Sequence, residues 1–341
     1  MNTHDFLSDD GLAVLLLCSG FGLPQPRPAE APAPLTLSEW NELAGQIQDS
    51  PLQSPGALPG QSAAELSRQL RIEPAEGERL ARLLDRAGRV ALELDSLLSR
   101  GMWVVTRVDA RYPAKLRNRL KHQAPTVLFG AGDLGLLARP GVAVVGSRNI
   151  DATGAAFAQA IGQDAVAGEW AVVSGGARGT DRLAMQAAVE AGGRAVGVLA
   201  DSLEQTIRQP DLRQLLLDQR VALFTPYSPS AGFSVGGAMG RNKIIYGAAD
   251  FAVVVSSEFE KGGTWAGAVD ALKAKWGPVL VRIADGVPKG NHELIKKGAL
   301  PLAEPRIPSS EAWPAWLREH STPAPVEQDL FAFEPKGKTG R

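Results

Sequence analysis

Between residues 141 and 283 the chain alternates six short apolar segments with stretches of helical length. The segments are hydrophobic at nearly every position rather than at alternate positions, which indicates strands that are covered on both faces. The stretches between them, such as 153–167 and 181–191, have the length of crossover helices between parallel strands. The six segments are 142–145, 171–173, 195–199, 221–224, 251–255 and 279–283. This alternation predicts a doubly wound α/β fold, in which a mostly parallel sheet carries helices on both faces.

The regions on either side of this central part differ from it in composition. Residues 1–100 contain short helical patterns between proline-rich joints, and Ser62 and Glu65 have the spacing of a helix-capping box. We expect this region to form a small helical domain. Residues 101–300 are assigned to the sheet-containing domain, which begins with strand-like segments at 103–106 and 126–129. Residues 301–341 are rich in proline and are predicted to be a flexible tail.

The charge balance provides no broad positive field for a polyanion. The chain has 341 residues, with 36 Lys and Arg against 37 Asp and Glu, so its formal net charge is −1. Any site for a negatively charged ligand must therefore be a local patch. The single cysteine, Cys18, excludes an internal disulfide and a cysteine-based zinc cluster, and the four histidines are scattered. No metal site is expected.

The longest apolar run, at 11–18, is too short to cross a bilayer. The acidic residues Asp5, Asp9 and Asp10 precede it, whereas a secretory signal begins with a basic stretch. We therefore expect a cytoplasmic protein with no membrane segment.

Three of the predicted strands end in loops of the same kind. Glycines, hydroxyl side chains and a cation follow each strand, at 146–149, 174–181 and 256–264. A fourth basic segment, 240–243, is expected to open a helix. The carboxyl ends of parallel strands meet at one sheet edge, where helix N-termini and backbone amides favour an anion. The sequence therefore predicts a phosphate-binding edge on which five cations converge, namely Arg148, Arg178, Arg241, Lys243 and Lys261.

Other interpretations of these residues stay open at this point. A glycine-rich strand end is often only a turn, and Asp181 fits an N-cap or a partner of Arg178 better than a catalytic acid. Trp265 and Trp276 lie in an apolar stretch, which favours the core over base stacking, and Tyr246 is ambiguous in the same way. The loops match neither the dinucleotide-binding pattern Gly-x-Gly-x-x-Gly nor a nucleoside-triphosphate P-loop.

Four motifs of the chain occur in the same order in a known family. They are Val-Val-Gly-Ser-Arg at 144–148, Ser-Gly-Gly-Ala-Arg-Gly-Thr-Asp at 174–181, Gly-Gly-Arg-Ala-Val-Gly-Val-Leu at 192–199 and Gly-Arg-Asn-Lys-Ile-Ile-Tyr-Gly at 240–247. With them, the chain resembles the DprA (Smf) family of DNA-processing proteins. The resemblance implies a Rossmann-like domain that binds single-stranded DNA, forms homodimers and loads the recombinase RecA without a metal or other cofactor. It also makes the N-terminal region similar to a SAM-like or helix-hairpin-helix-like module.

The resemblance also assigns the residues that contact DNA. Arg148 and the segment 241–243 correspond to DNA-contacting positions of the family, and Arg208 falls near another. The predicted DNA- and phosphate-binding residues are Gly146, Ser147, Arg148, Asn149, Ser174, Gly175, Gly176, Arg178, Arg208, Arg241, Asn242, Lys243, Lys261, Gly262, Gly263 and Thr264. Lys243 stands where the family has an arginine, which keeps the charge but loses the planar fork of donors. The family's C-terminal winged-helix domain is not recognisable here.

From this resemblance we predict a single-stranded DNA-binding protein that is not an enzyme, acting in transformation and recombination or in phage defence. The alternative is a nucleotide-binding sensor or a LOG-like phosphoribohydrolase of the same superfamily. The hydrolase motif places a glutamate three residues after its threonine, whereas this chain has Gly267 three residues after Thr264, and Asp270 is a further turn away. In the tail, residues 328–331 resemble the short peptides that bind the bacterial sliding clamp, so the clamp is a further candidate partner.

Overall fold

The computed structural model describes residues 7–23 and 29–320, and nine strands within them form one sheet. Their order across the sheet is β1-β2-β6-β5-β4-β3-β7-β8-β9. Strands β3 to β9 run parallel to one another, while β2 is antiparallel to both β1 and β6. The strands are β1 (Met102–Thr106), β2 (Val127–Gly132), β3 (Gly141–Val145), β4 (Ala171–Ser174), β5 (Ala195–Val198), β6 (Val221–Thr225), β7 (Phe251–Val254), β8 (Val279–Arg282) and β9 (Leu300–Leu302).

Helices cover both faces of this sheet. They are α1 (Asp9–Cys18), α2 (Leu37–Gln48), α3 (Ala63–Leu70), α4 (Pro74–Leu84), α5 (Ala87–Ser99), α6 (Ala114–Leu120), α7 (Ala152–Ala167), α8 (Thr180–Glu190), α9 (Leu203–Thr206), α10 (Pro210–Leu217), α11 (Val235–Ala248), α12 (Gly262–Ala274), α13 (Lys289–Lys296) and α14 (Trp313–His320). All six predicted strand segments are strands, and the doubly wound, mostly parallel α/β fold is confirmed.

Strand β3 shows why the predicted strands are apolar at every position. Ala143 and Val145 point into the hydrophobic cluster formed with α6, α11 and α12, whereas Val142 and Val144 pack under α7 and α8 on the opposite face. Each face therefore removes a separate set of side chains from water, and this burial stabilises the sheet by about 25 cal/mol per Å² of apolar surface.

The N-terminal helices α1 to α5 pack on the same face as α7 and α8, over the antiparallel end of the sheet. Their apolar side chains share one cluster with residues of β1, β2, β5 and β6, including Phe129 and Leu223. The predicted capping box is confirmed at the start of α3, where the Ser62 side chain accepts from the amide of Glu65 and the Glu65 carboxylate accepts from the amide of Ser62. The division into domains at residue 100 stays a prediction.

The C-terminal region differs from the expected flexible tail over its described part. Strand β9 and helix α14 continue the fold to residue 320. Trp313 of α14 is buried, stacks on Phe251 with ring centroids 3.9 Å apart and meets Trp170 edge-on. Residues 301–320 therefore differ from the predicted flexible tail, because buried aromatic side chains hold this proline-rich segment against the sheet. The clamp-type segment at 328–331 lies outside the described residues.

The chain reverses its direction of winding at β3. The crossover through α7 places β4 on one side of β3, whereas α11 leads from β6 back to β7 on the other side. Such a switch point opens a crevice beyond the carboxyl ends of the two strands. Separately, within residues 7–23 and 29–320, none of the helices is long and apolar enough to span a membrane.

Candidate functional site

A groove of about 460 Å³ lies at this switch point, and we call it the switch groove. It is bordered by the loop 146–148 after β3, by Arg241, Asn242 and Tyr246 on α11, and by residues 261–264 at the start of α12. The helices α8 and α12 begin beside it, and their N-cap residues Gly179 and Lys261 provide no side-chain cap. At α12 the uncapped N-terminus offers amide donors and a partial positive charge to an anion. At α8 most of the first amides already donate to backbone carbonyls, so this helix contributes mainly its dipole.

Two threonines hold the turn after β3 in place. The amide and the hydroxyl of Thr180 both donate to the carbonyl of Ser147, at 3.2 and 3.1 Å, and the hydroxyl of Thr264 donates to the carbonyl of Gly146 at 3.1 Å. A Cβ at position 146 would lie 2.4 Å from the Thr180 hydroxyl oxygen, so only glycine permits this approach. The loops after β3, β4 and β7 are thus fixed relative to one another.

A second, larger groove of about 770 Å³ begins at the carboxyl ends of β4 and β5 and continues between α8 and α10 to Ala195 and Val221, the first residues of β5 and β6, and we call it the side groove. The exposed side chains of Arg178 and Arg182 border it, and apolar residues such as Leu199 and Leu212 line its floor. Arg148 and Phe233 line both grooves and form the ridge between them. The guanidinium of Arg148 lies 5.7 Å from the centre of the Phe233 ring, which is 56% exposed.

Arg241 is a buried cation under this ridge rather than a cation on the rim. Its side chain is 5% exposed, and its Nη1 donates to the carbonyl of Gly175 at 2.7 Å and to that of Val198. A Cβ at position 175 would lie 2.3 Å from this nitrogen, so the glycine is required for the contact. Burial lowers the pKa of Arg241, and its Nε is buried without a partner. The Arg241 side chain therefore links the carboxyl end of β4 to that of β5 through these two hydrogen bonds.

Two further polar groups lie at the floor of the switch groove. Burial raises the pKa of Asp181 to about 6, against the opposing effect of the Arg241 charge, and its carboxylate accepts from the amide of Gly175 at 3.1 Å. The hydroxyl of Tyr246 is buried without a partner, and burial raises its pKa. An unpartnered buried donor is costly, so the floor is suited to a polar ligand group or a water molecule.

Most of the predicted binding residues lie around these two grooves. Gly146, Ser147, Arg148, Arg241, Asn242, Lys261, Gly262, Gly263 and Thr264 line the switch groove, and Gly175, Gly176 and Arg178 line the side groove. Asn149 joins them indirectly, because its side-chain oxygen accepts from Arg178 at 2.7 Å. Ser174 is buried, and its hydroxyl donates to the carbonyl of Val144 at 2.6 Å, so it supports the fold rather than facing a ligand.

Two predicted residues lie elsewhere. Helix α11 begins at Val235 and not at the basic segment, so Arg241 and Lys243 are in its interior. Residues two positions apart, such as Arg241 and Lys243, are separated by about 200° around a helix. Lys243 therefore faces a different cavity, on the other side of α11. Arg208 is exposed beside Arg100 in another cavity and lines neither groove, although the neighbouring Gln209 lines the side groove.

Sequence reasoning missed two exposed residues of the grooves, Phe233 and Arg182. Arg182 lies four residues after Arg178 at the start of α8, and this helical spacing was the available signal. Phe233 is in an irregular loop whose position no local pattern indicates. Trp265 and Trp276 are buried in the core, as their apolar surroundings favoured.

The described residues of the grooves do not form a serine–histidine pair, a LOG-type glutamate site or a three-ligand metal site. Residues 232–236 match Gly-x-Ser-x-Gly, but Ser234 is the N-cap of α11, where its hydroxyl accepts from the amide of Gly237 at 3.0 Å. Among the described residues that line either groove there is no histidine. A Cβ at position 267 would already lie 3.0 Å from the Tyr246 ring, so a glutamate there would displace that ring. In the described ranges no group of three potential metal ligands exists.

A groove at the switch point of a doubly wound sheet, bordered by Arg148 and Lys261 beside the N-terminus of α12, is typical of anion-binding proteins of the Rossmann-like class. The family described as DNA recombination-mediator protein A matches residues 103–311. The chain is 31% identical over 292 residues to the DNA processing protein DprA of Mycobacterium tuberculosis, covering 77% of this chain and 72% of that protein. The chain therefore belongs to the DNA recombination-mediator protein A (DprA) family.

Two further relatives have been compared by structure. The DprA of Streptococcus pneumoniae superimposes with a TM-score of 0.56 at 24% identity, over 80% of this chain and 96% of that one. The DNA processing protein A of Helicobacter pylori, a protein with a single-stranded DNA binding mode, superimposes with a TM-score of 0.51 at 20% identity, over 64% and 97%. At these identities the two structures establish a shared fold.

Proposed function

We propose that the chain binds single-stranded DNA across the ridge between the switch groove and the side groove. The observation that carries this proposal is the position of Arg148, exposed on the wall shared by both grooves. The exposed cations Arg178, Arg182 and Lys261 surround it in a chain of net charge −1. Membership of a recombination-mediator family and the DNA binding of the Helicobacter pylori relative support the same ligand.

The groups on the two grooves suggest how a strand is held. Phosphates would accept from the amides at the start of α12, and Arg148 would supply a charge-assisted bond. The Phe233 ring, exposed beside Arg148, offers a surface on which a base can stack. Arg241 acts through the fold, since its donors hold the loops after β4 and β5, and its charge attracts phosphate from below. Because phosphates and stacking carry little sequence information, binding would be nearly independent of base sequence.

We propose that the protein binds DNA in the cytoplasm without catalysing a reaction. Its more specific cellular role is proposed from the resemblance to the family. In that role a homodimer protects single-stranded DNA and passes it to RecA, in transformation and recombination or in phage defence. The hydrolase alternative is disfavoured by Gly267, since the position where the LOG-type motif has its glutamate is packed against Tyr246. A clamp contact through residues 328–331 stays a separate prediction.

A second candidate ligand is a free mononucleotide. The volume of the switch groove, about 460 Å³, favours it, because sites of this size accommodate small organic ligands.

A titration with oligothymidylates of increasing length, each at two salt concentrations, tests these proposals together. Single-stranded DNA binding requires that affinity rise with length and fall steeply with salt, because bound phosphates release condensed counterions. Thymidine monophosphate binding that saturates and does not strengthen with length would instead establish the mononucleotide. Release of free base from that nucleotide would refute the proposal of binding without catalysis.

A further inference from the structure

Helix α11 borders a third cavity on the side away from the switch groove. This cavity, of about 380 Å³, lies where the N-terminal helices meet the sheet, and we call it the junction cavity. Residues 18–21 after α1, residues 125–127 at the start of β2 and residues 226–228 after β6 line it, together with Lys243 on α11. Its volume is in the range of small-molecule sites.

Lys243 is a half-buried cation without a counter-charge. Burial lowers its pKa, and no described carboxylate or other polar group pairs with its ammonium. Another half-buried lysine, Lys115, does have a counter-charge, because its Nζ lies 2.6 Å from a carboxylate oxygen of Asp250. Removing an ammonium from water without a partner costs free energy, so an unpaired one facing a cavity indicates a site for an anion.

The other walls of the junction cavity carry no charge. Among the described residues that line it, Lys243 is the single ionised group. The Cys18 thiol is neutral at physiological pH, because burial raises its pKa to about 12. The Tyr227 hydroxyl donates to the carbonyl of Gly237 at 2.7 Å. Phe21 and Phe129, whose ring centroids are 5.5 Å apart, give the cavity an aromatic wall.

We propose that the junction cavity binds a small organic anion, with its carboxylate or phosphate on Lys243 and an apolar or aromatic body against Phe21 and Phe129. This ligand contacts the N-terminal helices and the sheet at once. The site is separate from the DNA grooves, since α11 lies between them, and the proposal does not depend on DNA binding.

Chemical labelling of the full-length protein tests the site. A lysine with a lowered pKa has more free amine at neutral pH, so a low concentration of an acylating ester should modify Lys243 faster than the exposed Lys273. Benzoate and thymidine 5′-monophosphate are the probes for the two head groups. A probe that binds, present at about ten times its dissociation constant, should slow acylation of Lys243 by about tenfold and leave Lys273 unchanged.

The same protection is expected in Arg148→Ala, whose substitution alters only the DNA grooves. Protection by benzoate identifies a carboxylate ligand and protection by the nucleotide a phosphate ligand, and either supports the proposal. The absence of protection by both probes would overturn it, as would protection that is lost in Arg148→Ala. Lys243→Met should abolish calorimetric binding of the protecting probe. If that variant does not fold, the labelling of the unaltered protein still decides.

Discussion

Arg148 is the residue on which the two grooves meet, and its substitution is the most direct test of the ridge. Arg148→Ala should weaken oligothymidylate binding by about 5- to 150-fold, the equivalent of about 1–3 kcal/mol for a charge-assisted phosphate contact. The slope of log affinity against log salt should fall by about one, because one fewer phosphate is neutralised. Fluorescence polarisation with a labelled oligomer measures both quantities.

Arg208→Ala is the matched control for this prediction. It also removes one exposed arginine, but one that lines neither groove, so it changes the net charge without removing a cation from the wall of either groove. Its affinity should stay within about twofold of the unaltered protein. Equal losses in both variants would show that net charge, rather than a localised site, governs the binding.

We expect Asp181 to make DNA binding depend on pH. Its pKa is about 6, above the ordinary value of 3.8, so its carboxylate is ionised at pH 7.5 and largely protonated at about pH 5.5. Protonation removes a negative charge that partly compensates Arg241, so binding should tighten as the pH falls through 6, by about fivefold. Asp181→Asn mimics the protonated form and should bind equally well at both pH values over this interval. If Asp181→Asn kept the full pH dependence, groups other than Asp181 would be responsible for it.

Local sequence was sufficient to place one predicted cation of the site, Arg148, but not Arg241 and Lys243. Arg148 follows a strand directly, and the end of an apolar run fixes its place at the sheet edge. The positions of Arg241 and Lys243 depend on where α11 begins, and three glycines in its first two turns, at 236, 237 and 240, conceal the helical pattern. The prediction started the helix five residues late and therefore placed Arg241 and Lys243 on one side, although they lie on opposite faces of α11.

At the scale of elements, the parallel strands were predictable because burial on both faces leaves a continuous apolar signature. The segment from β9 to α14 was not, since β9 is three residues long and α14 begins with Trp-Pro in a proline-rich stretch. Trp313 orders that segment by stacking on Phe251. Because the two residues are far apart in the sequence, no local sequence pattern indicates this contact.

The packing of α7 on α8 depends on Gly162. A Cβ at this position would lie 2.4 Å from the backbone oxygen of Ala184, so the helices would have to move apart. Gly162→Ala should destabilise the protein by about 1–3 kcal/mol despite the better helix propensity of alanine. Gly45→Ala in α2, where a Cβ meets open space, should stabilise it by about 0.5–1 kcal/mol. Urea denaturation distinguishes them, and a Gly162→Ala variant as stable as Gly45→Ala would contradict the close approach.

At the scale of the whole molecule, the switch groove and the helix that closes the fold lie at opposite edges of the sheet. The switch groove lies beyond the carboxyl ends of β3 and β7, whereas α14 packs on Trp170 and Phe251 at the amino ends of β4 and β7. The strands between them are buried. Changes at the amino edge should therefore alter stability without altering the affinity of the folded protein for DNA.

Trp313→Ala tests this separation. Loss of a buried indole that contacts three aromatic rings should lower the free energy of unfolding by about 3–5 kcal/mol, whereas Trp316→Ala, one turn later and only half-buried, should cost less. At a temperature where all three proteins are folded, their oligothymidylate affinities should agree within about twofold, because the truncated side chains lie across the sheet from Arg148. A Trp313→Ala protein that remains folded but binds DNA tenfold more weakly would mean that the amino edge communicates with the grooves, and that closure by α14 belongs to the binding mechanism.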